Sequence, residues 1–241
     1  MTQRPLAGAN VAVLRVGDGD GRLEAALRDA GATAAAVTVG RVTDRSDEEL
    51  LREVGDVGNF AWAAVTSRNA ARRLTLWAST WPASTRVAVV GPATRTAVES
   101  MGLSVAAEAP DGTAASLATQ IDDGPVVFLA AATARSDLVE QLTARGIVVH
   151  VVVAYDVTPA ALDGDDARSV ARADVVVAMS PVAIDAVVAL GGTLGTASRT
   201  VAIGPTTAAR AAETGLGLAA VAQRRDPAAV LDAIDAAMTT R

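Results

Sequence analysis

Residues 86–94 read R-V-A-V-V-G-P-A-T, and residues 200–207 read T-V-A-I-G-P-T-T. Each stretch begins with an apolar run that is typical of a buried strand and continues with Gly-Pro and a threonine. Glycine permits a sharp exit from a strand, and proline suits the first helical turn because an N–H there would have no partner. Each stretch therefore predicts a strand that leads directly into a helix.

Further apolar runs follow the same plan along the 241 residues. They alternate with helical stretches rich in Ala, Leu and Arg, and this alternation indicates an α/β fold with parallel sheets. Near-continuous runs of Val and Ile are typical of strands that are buried on both faces. The predicted strands are 11–14, 61–65, 87–90, 126–130, 175–179 and 201–203.

The order of these elements occurs twice. A separation of 113 positions relates Ser67 to Ser180, Gly91 to Gly204, Pro92 to Pro205, Thr94 to Thr207, Gly102 to Gly215 and Leu103 to Leu216. A separation of 115 relates Leu23, Leu27 and Gly31 to Leu138, Leu142 and Gly146. Two similar halves of this length are each a plausible small α/β unit.

Between the matched blocks lie residues 34–43 and 147–159, which are β-branched and regular. Their composition predicts paired strands that join two domains. The residues alone leave open whether each domain is one contiguous half. In the other arrangement, the first βα unit belongs with the last part of the chain.

The composition excludes several kinds of chemistry. The chain has no cysteine, and all 21 of its basic residues are arginine. Thiol nucleophiles, Cys-ligated metals, Schiff bases and the lysine of a phosphate-binding loop are therefore excluded. His150 is the single histidine, so a two-histidine zinc motif is excluded as well. The remaining groups are hydroxyl, carboxylate, guanidinium, phenol and backbone amide.

The charge and the hydropathy pattern narrow the partners and the location. A net charge of −6 and 2% aromatic residues argue against nucleic-acid binding. No uncharged apolar run reaches the roughly 18 residues that span a bilayer, and the first residues lack a signal-peptide pattern. We therefore expect no membrane contact and a cytoplasmic protein. The loop G-D-G-D-G at 17–21 is a poor dinucleotide motif because its aspartates would repel a pyrophosphate.

Candidate binding residues follow the predicted strands. Thr94, Thr206 and Thr207 lie where helices begin, and the free amides there accept an anion unless the threonine caps its own helix. Ser67 and Ser180 lie at carboxyl ends of strands, where open α/β sheets bind ligands, although both also suit an N-cap.

Three further residues carry chemistry of their own. Arg68 suits a bidentate contact with a carboxylate or a surface position. Tyr155, the single tyrosine, carries a phenol that could protonate a departing hydroxide, or it packs with its O–H satisfied. His150, in the same predicted strand, is expected to be structural.

Taken in order, these motifs resemble the uroporphyrinogen-III synthase family over nearly the whole chain. The matching stretches include F-A-W-A-A-V-T-S-R-N-A, V-A-V-V-G-P-A-T, P-D-G-T-A-A-S-L, V-V-V-A-Y-D-V-T-P, V-A-I-G-P-T-T-A and D-P-A-A-V-L-D-A-I. The resemblance implies two similar flavodoxin-like parallel-sheet domains joined by a two-stranded β ladder. It assigns 1–38 plus 158–241 to the first domain, 46–149 to the second, and 39–45 and 150–157 to the connecting strands.

The resemblance also implies an activity without a cofactor or a metal. Enzymes of the family cyclise hydroxymethylbilane, a linear tetrapyrrole with eight carboxylates, to uroporphyrinogen III, with loss of water and inversion of the last ring. Tyr155 would assist departure of hydroxide, and a further set would hold the carboxylates. That set is Arg15, Ser67, Arg68, Thr94, Arg135, Ser180, Thr206 and Thr207.

The sequence departs from the family pattern at a few positions. Val16 follows Arg15 where the family often has proline, and Ala130 and Ala131 stand where basic residues are frequent. We expect a monomer, and the upstream bilane-forming enzyme is a candidate partner. The alternative function is a non-catalytic two-domain protein that binds a small anion.

Overall fold

The computed structural model describes residues 6–17, 19–134, 137–191 and 199–239. The helices and strands of these residues are, in chain order, β1 (Asn10–Val16), α1 (Arg22–Asp29), β2 (Thr33–Asp44), α2 (Asp47–Val54), β3 (Trp62–Val65), α3 (Arg68–Arg73), β4 (Arg86–Val89), α4 (Pro92–Glu99), β5 (Val105–Glu108), α5 (Ala114–Ala118), β6 (Val126–Ala131), α6 (Asp137–Ala144), β7 (Val149–Pro159), α7 (Gly164–Ala171), β8 (Val175–Ala178), α8 (Pro181–Leu190), β9 (Arg199–Ala202), α9 (Pro205–Thr214), β10 (Ala220–Val221) and α10 (Pro227–Thr239). Short 3-10 turns lie at Val57–Asn59, Leu74–Leu76 and Ala78–Thr80.

The chain folds into two compact units. Unit 1 comprises Met1–Val42 and Thr158–Arg241, and unit 2 comprises Thr43–Val157. The chain passes from one unit to the other within β2 and again within β7.

Both units contain a five-stranded sheet in which neighbouring strands are parallel. The order in unit 1 is β2-β1-β8-β9-β10, and the order in unit 2 is β7-β6-β3-β4-β5. Unit 1 has the 2-1-3-4-5 order of flavodoxin-like sheets. Unit 2 has the same spatial order, except that its chain enters at the middle strand and forms the strands corresponding to β1 and β2 last.

The structure reproduces the two sequence offsets. Elements β3 to α5 correspond to β8 to α10 at a separation of 113, and β6-α6-β7 corresponds to β1-α1-β2 at 115. The predicted α/β fold with parallel sheets is therefore confirmed. All six predicted strands are present, and β5 and β10 are additional short strands.

The core explains the continuous apolar runs. Along β1, Val11 and Val13 face a cluster with α1 and α10, whereas Ala12 and Leu14 face a second cluster with α7, α8 and α9. Unit 2 has helices of its own packed in the pairs α5 with α6 and α3 with α4. Because both sheet faces are covered, the buried positions of β1 are apolar on both faces of the sheet. Burial of a side chain such as Phe128 stabilises the fold by about 1.5–3 kcal/mol.

None of the helices in the described part of the chain is both long enough and apolar enough to cross a membrane.

Candidate active site

The sequence-predicted site residues lie at the carboxyl ends of the parallel strands, which meet at one edge of each sheet. In unit 2, Ser67 follows β3, Thr94 lies in the first turn of the helix after β4, and Tyr155 lies in β7. In unit 1, Arg15 lies near the end of β1, Ser180 follows β8, and Thr206 and Thr207 begin the helix after β9. Arg135 lies outside the described residues.

Tyr155 and Ser67 are joined directly, although 88 positions separate them in the chain. The phenol oxygen of Tyr155 lies 2.9 Å from Oγ of Ser67. A β-bulge produces this approach, because Ala130 of β6 pairs with Val153 whereas Ala131 pairs with Tyr155. The extra residue changes which face of the sheet the following side chains occupy. The bulge thereby brings the phenol to the end of β3.

Ser67 also caps helix α3. Its backbone is extended, with φ −146° and ψ 156°, and its Oγ accepts a hydrogen bond of 3.1 Å from the N–H of Ala70. This is the N-cap geometry that the sequence allowed as an alternative. Ser67 therefore serves the helix and contacts Tyr155 with the same oxygen.

The environment of Tyr155 favours the neutral phenol. The residue is only 7% exposed, and burial raises the pKa of the phenol above its ordinary value near 10. The hydrogen bond with Ser67 acts in the opposite direction and lowers the pKa, but burial is the larger influence. At neutral pH, Tyr155 therefore holds its proton and is a potential acid.

Unit 1 contains the same backbone arrangement without the phenol. A bulge lies at the corresponding place, because Arg15 pairs with Thr38 whereas Val16 pairs with Gly40. Gly40 is 115 positions before Tyr155, and its carbonyl accepts from Gly17 at 3.0 Å. The corresponding contact in unit 2, from Ala132 to the Tyr155 carbonyl, is 2.9 Å. The backbone arrangement is therefore the same in both units, but the bulge presents Gly40 in unit 1 and Tyr155 in unit 2.

Ser180 occupies the position of Ser67 in unit 1. It is the N-cap of α8, and its Oγ accepts a hydrogen bond of 3.3 Å from the N–H of Ala183. The capping role is thus common to both serines, whereas the phenol contact belongs to Ser67.

Helices α4 and α9 begin at the two Gly-Pro sequences that predicted them. Gly91 and Gly204 are their N-cap residues, and neither helix has a side-chain cap. The predicted alternative, in which the threonine caps its own helix, is therefore wrong. Uncapped N–H groups at the positive end of a helix favour an anion by about 0.3–1 kcal/mol.

The three threonines of these helices differ in exposure. Thr94 is 6% exposed and Thr207 is 1% exposed, and each lies on the inward face of its helix, one turn before Val98 or Ala211. Thr206 is only half-buried. The backbone amides and Thr206 are therefore the more accessible donors.

Arg15 is paired with a buried carboxylate. Its Nη1 lies 2.5 Å from Oε1 of Glu24, a residue of α1 that is 4% exposed. The guanidinium lies against Gly19, where a Cβ would come within 2.5 Å of Nη1. A side chain at position 19 would therefore require the guanidinium of Arg15 to shift. The Nε atom of Arg15 is buried and has no hydrogen-bond partner among the described residues.

Arg68 and His150 have simpler surroundings. Arg68 is the exposed first residue of α3 and forms no ion pair with a described residue. The ring of His150 stacks on Phe60 with centroids 5.9 Å apart, and its Nε2 lies 3.3 Å from the carbonyl oxygen of Glu53.

Sequence reasoning missed Arg225. Its Nε would lie 3.5 Å from a Cβ at Gly204, so its guanidinium lies beside the uncapped start of α9. Part of its surface is exposed, and partial burial lowers the pKa of the guanidinium. It has no acidic partner in the described part of the chain. No repeat signal pointed to it, because the position 113 residues earlier is Gly112.

The family model described as uroporphyrinogen-III synthase HemD matches residues 21–232. The chain belongs to the uroporphyrinogen-III synthase family. The resemblance predicted from the motifs is thus confirmed, and it assigns the chain to the enzymes of porphyrin and haem biosynthesis. No curated protein matches the chain.

Solved structures of such synthases share the fold. A methionine-substituted mutant uroporphyrinogen III synthase from Thermus thermophilus is 17% identical, with a TM-score of 0.66 over 97% of this chain and 100% of that chain. The synthetase from Helicobacter pylori 26695 is 15% identical, with a TM-score of 0.63 over 93% and 97%. At these identities the likeness supports the fold and not the roles of single residues.

Proposed function

We propose that the enzyme cyclises hydroxymethylbilane to uroporphyrinogen III, with loss of water and inversion of ring D. In reaction class it would be a hydro-lyase that closes a ring. The observation that carries the proposal is a buried, neutral phenol at the carboxyl edge of a parallel sheet, in a chain of this family. The chemistry needs an acid for the leaving hydroxyl group, and Tyr155 is that acid.

In the proposed reaction, the C–O bond of the hydroxymethyl group breaks as the Tyr155 proton reaches the leaving oxygen, which departs as water. The electron pair of the ring A pyrrole stabilises the resulting carbocation as an azafulvenium ion. The substituted carbon of ring D then attacks it, and the spiro intermediate rearranges to the inverted ring. Ring closure releases one proton, which restores the phenol. The remaining contribution of the protein is to hold the bilane in the reactive geometry.

The carboxylates of the substrate would be bound mainly by neutral donors. The uncapped amides of α4 and α9 support this assignment, and Arg225, whose guanidinium lies beside Gly204, would add a charged donor. Hydrogen bonds to a charged group each contribute about 1.5–3 kcal/mol. Arg15 would contribute through the part of its side chain that remains exposed, since its Nη1 already contacts Glu24. The proposed binding set further includes Ser67, Arg68, Thr94, Arg135, Ser180, Thr206 and Thr207.

The finer architecture and the setting are also proposals. On the family resemblance, the two flavodoxin-like domains would be joined by segments 39–45 and 150–157 as a two-stranded ladder. We further propose a cytoplasmic monomer that receives its substrate from the bilane-forming enzyme. The reaction would use no cofactor.

The product isomer tests the proposed activity. The protein is incubated with hydroxymethylbilane, the products are oxidised, and the type I and type III isomers are separated. The expected product is type III, formed faster than the spontaneous closure. Formation of type I alone at the spontaneous rate would refute the enzyme and favour a binding protein. Tyr155→Phe is the matched control, because it retains the ring and removes the proton donor.

A further inference from the structure

The Ser67 hydroxyl has one proton and two lone pairs to distribute. One lone pair accepts the N–H of Ala70 at 3.1 Å, and this amide can only donate. The second contact, at 2.9 Å, is with the phenol oxygen of Tyr155. Either oxygen of that pair can be the donor. Whether Tyr155 can act as an acid depends on which of the two oxygens donates.

If the phenol donated to Ser67, its single proton would be occupied and unable to reach a leaving group. We infer that Ser67 is a positioning residue that donates to the phenol oxygen, so that the Tyr155 proton is directed at the leaving hydroxyl. This inference rests on the proposed function and deepens it. This inference reassigns Ser67 from the proposed carboxylate-binding residues to Tyr155.

The same hydrogen bond matters more once the proton has left. Tyr155 becomes a phenolate in a site where it is 7% exposed, and a buried anion without partners is strongly disfavoured. A hydroxyl that already points at the oxygen stabilises the anion without rearrangement. The C–O bond breaks, its electron pair leaves with the oxygen, and the Tyr155 proton completes a water molecule. The proton released on ring closure returns to the phenol.

Charged groups around the phenol do not supply this stabilisation. Arg68 follows Ser67 in α3 and Asp156 follows Tyr155 in β7, and both are exposed. Strands β3 and β6 contain no charged residue. Burial and the Ser67 hydroxyl are the influences that move the pKa of Tyr155 within the described structure, in opposite directions. Ser67 is thus the described group that favours the phenolate.

Unit 1 shows that a serine in this position can cap its helix without contacting a phenol. Ser180 caps α8 as Ser67 caps α3, but the residue at its bulge is Gly40 and no phenol is present. A capping serine in this frame therefore does not require a tyrosine partner. Ser180→Ala removes the same kind of cap and leaves Tyr155 untouched, which makes it the matched control.

The single tyrosine makes the test direct, because near-ultraviolet absorbance of the phenolate then reports Tyr155 alone. In the free protein, Ser67→Ala is expected to raise the pKa of Tyr155, whereas Ser180→Ala leaves it unchanged. In turnover, Ser67→Ala is expected to lower kcat by about tenfold to a hundredfold, the worth of one hydrogen bond to a charged group, with KM nearly constant. Ser67→Thr retains the hydroxyl and is expected to restore both values.

A second variant guards against loss of folding. Glycine is well tolerated at an N-cap, so Ser67→Gly removes the hydroxyl with little effect on α3. Both hydroxyl-free variants are expected to behave alike. An unchanged phenol titration would overturn the inference, and so would an unchanged kcat. A rise in KM at constant kcat would also overturn it, since Ser67 would then bind substrate. If the wild-type protein forms only the type I isomer, the proposed function fails, whereas the titration still decides whether Ser67 donates to Tyr155.

Discussion

The buried pair of Arg15 and Glu24 gives a prediction for the free energy of unfolding, and the corresponding positions of unit 2 suggest the variants to test. At the equivalent positions of unit 2, 115 residues later, the chain has Ala130 and Val139. In unit 2, the same two positions are therefore occupied by a pair of apolar residues, Ala130 and Val139. The variants to compare are Arg15→Ala, Glu24→Val and the double variant that carries both changes.

The two single variants should differ in cost. The side chain of Glu24 is 5% exposed and that of Arg15 is 20% exposed. Removing one partner of a buried pair costs about 3–5 kcal/mol, because a charge remains buried without compensation. Arg15→Ala leaves the more deeply buried charge and should lie in that range. Glu24→Val leaves a guanidinium that water can partly reach, so its cost should be smaller.

In the double variant no charge remains, and what is lost is mainly packing volume. We therefore expect the double variant to lose about 2–3 kcal/mol less unfolding free energy than the sum of the losses in the two single variants. Urea unfolding followed by far-ultraviolet circular dichroism measures the free energies, since the dichroism reports the helices of both units. The exposed pair of Arg168 and Asp165 is the control, and Arg168→Ala should change stability by less than about 1 kcal/mol. Strictly additive effects of Arg15→Ala and Glu24→Val would refute the reasoning.

Three further predictions concern turnover. Tyr155→Phe should lower kcat by about 10²–10⁴ while the unfolding free energy changes by only about 1 kcal/mol, and an unchanged kcat in steady-state assays would remove its role as the acid. Thr206→Val should mainly weaken substrate binding, seen as a higher KM at similar kcat, because Thr206 is the more exposed of the two hydroxyls at the start of α9, and an unaltered KM would count against that contact. Arg225→Gln should raise KM by about tenfold or more and make KM less sensitive to salt. The neighbouring Arg224, which pairs with Asp226, serves as its control, because Arg224→Gln should leave KM unchanged.

The fold was accessible to sequence reasoning because its strands are covered on both faces. A strand such as β8 is apolar at every position, so a simple run of V-V-V-A marks it. The constant separation of 113 positions then relates β3 and β4 to β8 and β9 from the residues alone. The missed strands, β5 and β10, are short edge strands whose residues are half-buried or exposed, so no continuous apolar run marks them.

The site was only partly accessible, because it depends on contacts between distant residues. Ser67 and Tyr155 were each identified, but the hydrogen bond between them depends on the bulge at Ala154, and no residue pattern predicts that bulge. Arg15 was expected to be available for substrate, and its pairing with Glu24 depends on the spacing of β1 and α1. Arg225 lies in a loop where the repeat offers no counterpart.

The comparison of the two units indicates where the chemistry resides. Their backbones match even at the bulge, yet the bulge presents Tyr155 in one unit and Gly40 in the other. The edge of unit 1 has Arg15 and Arg225, whereas no described charged group influences the pKa of Tyr155 in unit 2. This difference follows from the chemistry proposed for each edge. A guanidinium beside the phenol would favour the phenolate and reduce the supply of neutral acid, whereas guanidinium groups favour the binding of carboxylates. On the proposed function, unit 2 would therefore combine the acid with donors for carboxylates, whereas unit 1 would supply such donors alone.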